Sequence, residues 1–274
     1  MRITTWNINS VRLRIGLVER FLAEHRPDVL CLQEIKCLND QFPRKAFEAA
    51  GYPHMAVHGQ KGYHGVATVS RAPLEDLGPT QFCGMDDCRH IATRHDGIQV
   101  HNFYVPAGGD EPDPARNEKF AHKLAFMDEM TSMFAGLSDR PAIVVGDLNV
   151  APGEHDVWSS KQLARVVSHT PVEREAMAGM LAAGGMVDVA RALVPRDEKL
   201  YSWWSYRAKD WRASNRGRRL DHVWVTKPLE ACALAGGRGA FQVHEDARDW
   251  EKPSDHAPVT FDLTARSASD GAAA

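Results

Sequence analysis

The sequence lacks any run of about 18 uncharged apolar residues, the length a membrane-crossing helix requires, so no transmembrane span is expected. No secretory leader is expected. The first twenty residues carry Arg2, Arg12, Arg14, Glu19 and Arg20 and no apolar stretch of signal length. Cysteine is scarce and odd in number: Cys31, Cys37, Cys83, Cys88 and Cys232 form no CxxC pair, which excludes a disulfide framework or a zinc ribbon. A reduced, cytoplasmic protein is the resulting expectation. There is no excess of positive charge either, since 33 Lys and Arg stand against 36 Asp and Glu for a net charge of -3. Any nucleic-acid partner must therefore be held by a local basic patch or by metal ions. What remains, 274 residues with 43% hydrophobic and 25% charged content, is the composition of a globule able to bury a large core.

Strand and helix patterns interleave along the chain, and no Pro/Gly/Ser-rich linker divides it. Arg2–Trp6 reads as a strand, after which Ser10 is placed to cap a helix reaching about His25, with Val11, Ile15, Val18 and Leu22 at helical spacing. Val29–Leu32, Val66–Ser70, Ile98–Val105, Ala142–Val145, Arg219–Val225 and Val259–Leu263 read as further strands. Ala115–Ala135 and Val172–Ala183 read as helices, while Gly51–Gly65 is turn-rich. The expectation is one α/β unit over residues 1–264, two packed sheets with helices outside, and a small polar tail over 265–274.

Several apolar strands stop at oxygen-bearing side chains: Asn7 after Ile3–Trp6, Glu34 after Val29–Leu32, and Asp147 and Asn149 after Ile143–Val145. Asp255 precedes the last strand. Carboxylates and amides at the ends of adjacent strands can converge on one rim, and hard oxygen donors suit Mg²⁺ or Mn²⁺ better than zinc. The same residue types also cap turns after strands. Ser254-Asp255-His256-Ala257-Pro258 adds an imidazole suited to proton handling near neutral pH, and Asp221 is a candidate carboxylate partner for it. A surface histidine in a turn is the alternative. Between Trp203 and Asp221, six cations (Arg207, Lys209, Arg212, Arg216, Arg218 and Arg219) oppose Asp210 and Asp221. Trp203, Trp204, Tyr206 and Trp211 interleave with them, a mixture that suits a nucleic-acid groove.

Trp6-Asn7-Ile8-Asn9, Leu32-Gln33-Glu34, Gly146-Asp147-Leu148-Asn149, Arg219-Leu220-Asp221 and Ser254-Asp255-His256-Ala257-Pro258 occur in the order seen in the exonuclease III family. That family comprises abasic-site endonucleases of the endonuclease/exonuclease/phosphatase superfamily, and the resemblance runs from Arg2 to about Leu263. It implies a four-layered, deoxyribonuclease I-like α/β sandwich, two mixed sheets face to face with helices outside.

It further implies Mg²⁺, for which Mn²⁺ substitutes, with Glu34 as principal ligand, Asn7 a direct or water-mediated one and Asp255 in the neighbourhood. By the same resemblance Asp147 orients or deprotonates the attacking water, and Asn149 bonds that water or a phosphate oxygen. His256, paired with Asp221, holds a non-bridging oxygen or assists the water; whether Asp147 or His256 takes the proton stays open. Tyr104 matches the family's active-site tyrosine, where many superfamily phosphatases carry His.

Trp203, Trp204 and Leu220 match the pocket for an extruded baseless sugar, with one tryptophan, Trp204, also a candidate core residue. Lys61, Arg89 and Asn102 match positions near the active-site face or DNA backbone, and Arg219 joins the DNA-contacting set. Arg218 departs from the family pattern and is expected to polarise the pocket wall. The implied activity is cleavage of duplex DNA 5′ to abasic sites, leaving a 3′ hydroxyl, with 3′-to-5′ exonuclease and end-cleaning activity. The expected partner is duplex DNA bearing abasic sites or 3′ ends, bound by a monomer without any membrane. The cysteines appear in no ligand spacing and are expected to be incidental.

Overall fold

The computed structural model describes residues 1–264; the tail expected at 265–274 lies outside them. The strands, in chain order, are β1 (Arg2–Asn7), β2 (Val29–Gln33), β3 (His54–His58), β4 (Val66–Ser70), β5 (Glu75–Gly78), β6 (His90–His95) and β7 (Ile98–Tyr104). They continue with β8 (Ala142–Asp147), β9 (Met186–Asp188), β10 (Trp203–Trp204), β11 (Gly217–Arg218), β12 (Asp221–Thr226), β13 (Phe241–Val243) and β14 (Val259–Asp262). One six-stranded sheet runs β13-β14-β1-β2-β4-β3 and the other β5-β6-β7-β8-β12-β9, with β10-β11 a separate ribbon. Both large sheets are mixed, since β1 and β2 pair in parallel, as do β7 and β8, among antiparallel neighbours.

The period-2 alternation of side chains sorts each strand between two cores. Ile3, Val29 and Cys31 of one sheet meet Val100, Ile143, Val145, Val223 and Val225 of the other in the central layer. The intervening residues face outward. Trp6, Leu30 and Leu32 pack on Val18, Phe21 and Leu22 of helix Ile15–His25. On the opposite side Phe103, Val144 and Trp224 pack on Phe126, Met130 and Phe134 of helix Glu118–Ala135 and on Met177 and Met180 of helix Pro171–Ala183. Because the central strands are covered on both faces, they read as continuous apolar runs. The result is the four-layered sandwich.

Local differences from the sequence reading have physical causes. Ser10 does not cap the first helix; its backbone is left-handed (φ 86°), its N–H donates to the Glu34 carbonyl, and the helix begins only at Ile15. Gly51–Gly65 contains the edge strand β3, whose two histidines and half-buried side chains conceal the alternation. The helix expected from Ala115 starts at Glu118, where the Asn117 side chain accepts from the Lys119 N–H.

Candidate active site

Sheet register assembles one wall of the site. Tyr104 stands opposite Asp147 across the parallel β7–β8 pair, and Asp221 stands opposite Asp147 across the antiparallel β8–β12 pair. Three adjacent strands thus end in a row of tyrosine, aspartate and aspartate. The close approach of β7 to β8 leaves no room for a side chain at Gly146, where a Cβ would fall 1.9 Å from the Phe103 carbonyl oxygen and φ is 138°. This is why glycine precedes Asp147.

The facing sheet supplies the second wall from β1 and β2, whose parallel register aligns Asn7 with Gln33. The Asn7 amide nitrogen bridges the sheets, donating to Glu34 Oε1 and to Asp147 Oδ2, both at 2.9 Å. The Tyr104 hydroxyl donates to the same Glu34 oxygen at 2.9 Å. Glu34 Oε2 pairs with Lys36 Nζ at 2.8 Å, and that ammonium also donates to Asn9 Oδ1 at 2.6 Å. Glu34 (φ 50°), Lys36 (φ 52°) and Asn149 (φ 54°) all adopt left-handed backbone, each at a cost of order 1–3 kcal/mol that the surrounding bonds offset.

His256 enters from the loop before β14. Its Nδ1 lies 2.8 Å from Asp221 Oδ2 and its Nε2 3.6 Å from Asp147 Oδ2. Since Asp221 Oδ2 also accepts from the buried Ser202 hydroxyl at 2.6 Å, the imidazole is fixed by a carboxylate that is itself fixed. Asp221 Oδ1 is buried with no hydrogen-bond partner. Asn149 donates its backbone N–H to Asp147 Oδ1 at 3.0 Å and its side-chain amide to the Val105 carbonyl at 2.9 Å. Asp255 accepts from Asn9 Nδ2 and Trp203 Nε1.

The electrostatics follow from this packing. Burial pushes the Asp147 carboxyl up, to about 7, with Asp221 and Glu34 adding to the rise against the opposing pull of His256 and Asn7. For His256 burial acts downward, yet Asp221 and Asp147 outweigh it and lift the imidazole to about 10. Burial likewise opposes ionisation of Glu34, but the Asn7 and Lys36 bonds prevail and hold its carboxyl below the ordinary value. The Tyr104 phenol is pushed well up by burial and by the Glu34 and Asp147 charges, so it stays a proton donor. An imidazolium, a raised carboxyl and a protonated phenol therefore line one rim.

That rim opens into a cleft of about 900 Å³ in which Glu34, Tyr104, Asp147, Asn149, Asp255 and His256 meet Trp203, Trp204 and Leu220. Trp204 is only 1% exposed, and its Nε1 is tied to Asn215, so it forms the floor, while Trp203 is half-buried at the wall. Arg218 lies with its guanidinium 5.3 Å from the Trp203 ring centre and bonds the Val167 carbonyl and Ser168 hydroxyl, making a charged wall. Arg207 and Arg216 also line the cleft, Arg216 stacked 4.7 Å from the centre of Trp158.

Three residues assigned to DNA from sequence, Asn102, Arg219 and Arg89, are buried. Asn102 is completely buried between the sheets, donating to the Leu32 and Ala67 carbonyls and accepting from Gln33, so it cannot touch DNA. Arg219 is equally buried, clamped by Asp156 and Asp188. Arg89 is held by Asp87, stacks 4.9 Å from the Tyr104 ring centre and bonds the Tyr104 carbonyl, which makes it a support for that tyrosine. Lys61 is exposed and does not line the cleft. Arg212 is likewise taken up by Asp246 and Asp249. Sequence reasoning missed Lys36, Asn9, Ser202 and Lys123. The last is fully buried, paired with Glu173, and its ammonium donates to the Asn149 carbonyl at 2.8 Å, holding the turn after Asp147. None of these four carries a spacing that marks it.

The rim offers oxygen donors to a divalent cation. Glu34, Asp255 and the remaining lone pair of Asn7 Oδ1 are all hard oxygens, and Glu34 already attracts the Lys36 ammonium. They fit a Mg²⁺-type ion, with Asn7 chiefly orienting Glu34.

Residues 4–256 match the endonuclease/exonuclease/phosphatase family. The chain is 32% identical to exodeoxyribonuclease III of Haemophilus influenzae over 94% of its length and 98% of that protein's. Among solved structures it resembles an AP endonuclease from Archaeoglobus fulgidus, with 34% identity, a TM-score of 0.86 and coverage of 96% of this chain and 100% of that one. It also resembles a 3′ phosphatase from Neisseria bound to product DNA hairpin, with 30% identity, a TM-score of 0.85 and coverage of 97% and 100%.

Proposed function

From the premise that this chain belongs to the endonuclease/exonuclease/phosphatase family, and is a hydrolytic DNA-repair nuclease within it, we propose that it cuts duplex DNA 5′ to abasic sites, leaving a 3′ hydroxyl. The same site trims nucleotides and blocking groups from 3′ ends, and the chain works as a monomer in the cytoplasm. Among the described residues no helix is long and apolar enough to cross a membrane. The observation that carries the reading is the row of Tyr104, Asp147 and Asp221 on three adjacent strands, joined to Glu34 through Asn7.

In this reading Mg²⁺ is held by Glu34, with Asn7 and Asp255 beside it, and supplies Lewis-acid stabilisation of charge on the phosphate and leaving oxygen. Asp147 accepts the proton of the attacking water, a role its raised affinity for protons near neutral pH suits. His256 is held charged by Asp221 and so is a poor proton acceptor at neutral pH; as an imidazolium it stabilises a non-bridging phosphate oxygen. Tyr104 donates its phenol toward developing phosphate charge, steadied from behind by Arg89. Asn149, its backbone fixed by Lys123, orients Asp147 and the water.

The cleft beside this row supports an abasic substrate. A baseless sugar loses little stacking or pairing on extrusion, and Trp203, Trp204 and Leu220 offer an apolar seat for it. Arg207, Arg216 and Arg218 track the flanking phosphates in a chain whose net charge is -3. The test is a duplex with one abasic analogue beside an intact blunt duplex and an inositol phosphate, with Mg²⁺ and with EDTA. Incision immediately 5′ of the analogue, dependent on Mg²⁺, is expected. Release of phosphate from the inositol compound without DNA cleavage would overturn the reading.

A further inference from the structure

A second group of ligating side chains lies outside the nuclease cleft. His58 at the end of β3, Asp86 and Cys88 present an imidazole nitrogen, a carboxylate oxygen and a sulfur within 4.8 Å of one another. His58 Nδ1 lies 3.2 Å from the His90 carbonyl oxygen. A carbonyl only accepts, so the proton sits on Nδ1 and the lone pair of the neutral ring is on Nε2. That Nε2 lies 3.3 Å from Asp86 Oδ1, without a hydrogen bond between them. Both atoms are acceptors and can share a cation. A backbone carbonyl on one ring nitrogen and a vacant lone pair on the other is also the arrangement that surrounds metal-bound histidines.

We propose that His58, Asp86 and Cys88 form a binding site for a borderline-soft divalent cation, Zn²⁺ above all, separate from the hard-oxygen centre at Glu34. Imidazole, carboxylate and thiolate are the three donor types zinc takes, and three protein ligands leave a fourth position for water. Tetrahedral bonds of about 2.0–2.3 Å put ligand atoms roughly 3.5 Å apart, so the trio needs to close by about an ångström. Asp86, with its side chain 64% exposed, is free to supply that movement. Cys88 is anchored instead: its backbone is left-handed (φ 53°) and its carbonyl accepts from the Gly65 N–H at 3.1 Å. Without metal, burial and the nearby Asp86 and Asp87 push the Cys88 thiol up to about 11, so binding must release its proton. Sequence spacing conceals the site because His58, on β3, lies thirty residues before Cys88, which is in the loop leading to β6.

The test uses the full chain, reduced and freed of metal, titrated with Co²⁺ and then with Zn²⁺. The expected result is one thiolate-to-cobalt charge-transfer band that saturates at one equivalent, is displaced by Zn²⁺, and is accompanied by proton release. His58→Gln and Cys88→Ser should each weaken Co²⁺ binding by about tenfold or more, whereas Cys83→Ser and Glu34→Gln should leave the band intact. Urea unfolding of each variant verifies that it is folded, and His58, on a half-buried edge strand, gives an answer even if Cys88→Ser unfolds. Absence of the band would overturn the proposal. Persistence of the band in both His58→Gln and Cys88→Ser would overturn it equally. Because the band reports sulfur ligation, it is independent of whether the chain cuts abasic DNA.

Discussion

Replacing Arg219 by methionine separates a structural cation from a DNA-binding one. Its side chain is 2% exposed and makes four charge-assisted bonds: to Asp156 at 2.8 and 2.8 Å, and to Asp188 at 3.1 and 2.9 Å. Burial alone would push the Asp156 carboxyl up, but the Arg219 and Arg191 charges and bonds hold it well below the usual carboxylate range. Methionine fills much of the volume and removes the charge. Asp156 then keeps only Arg191 as a cation, and Asp188 loses its ion-pair partner. Removing one side of a buried pair costs about 3–5 kcal/mol, a large share of the 5–15 kcal/mol typical of a domain. Urea titration followed by tryptophan fluorescence should therefore show the midpoint falling strongly, and the folded fraction should retain its DNA affinity. A phosphate contact would behave oppositely, with stability nearly unchanged and the dependence of affinity on salt reduced by about one unit of slope. That second pattern would refute the reasoning and return Arg219 to the DNA surface.

Other outcomes follow from the same packing. Glu34→Gln and Asp147→Asn should each slow incision by on the order of 10²–10³-fold or more while duplex affinity, measured by anisotropy, persists through the arginines of the cleft. Lys123→Met should lower stability by about 3–5 kcal/mol in a denaturant titration, because Glu173 is left charged and fully buried, and should also slow cleavage by loosening Asn149. Buried His222 and His101 are held near 4, chiefly by burial and, for His222, by Arg219 as well. Their folded value lies below the unfolded 6.5, so the stability they contribute is complete above pH 6.5 and drains as pH falls toward 4. At about 1.4 kcal/mol per unit, each can account for roughly 3 kcal/mol. Urea midpoints compared at pH 7.5 and 5 should record the loss, and His222→Asn should flatten it.

The strand ends were the legible part of the site. Asn7, Glu34, Asp147 and Asn149 each follow a continuous apolar run, the mark of a strand covered on both faces. The edge strand β3 and strand β6 were not legible, because His54, His58, His90 and His95 interrupt the apolar pattern with polar rings that only tertiary contacts satisfy. Asn102 and Arg219 misled for a related reason. A polar residue beside a functional motif is as often its buried support as its surface, and only their hydrogen bonds to Leu32 and Ala67, or to Asp156 and Asp188, distinguish the two. Lys36 was hidden differently, since its ammonium reaches Glu34 only through left-handed turns at both residues that no composition signals.

Diffraction at the manganese edge from crystals grown with Mn²⁺ addresses the cleft most directly. The arrangement of Glu34, Asn7 and Asp147 predicts an anomalous peak in bonding contact with the Glu34 carboxylate, lost in Glu34→Gln. A peak confined to other residues, or one unchanged by that substitution, would contradict it.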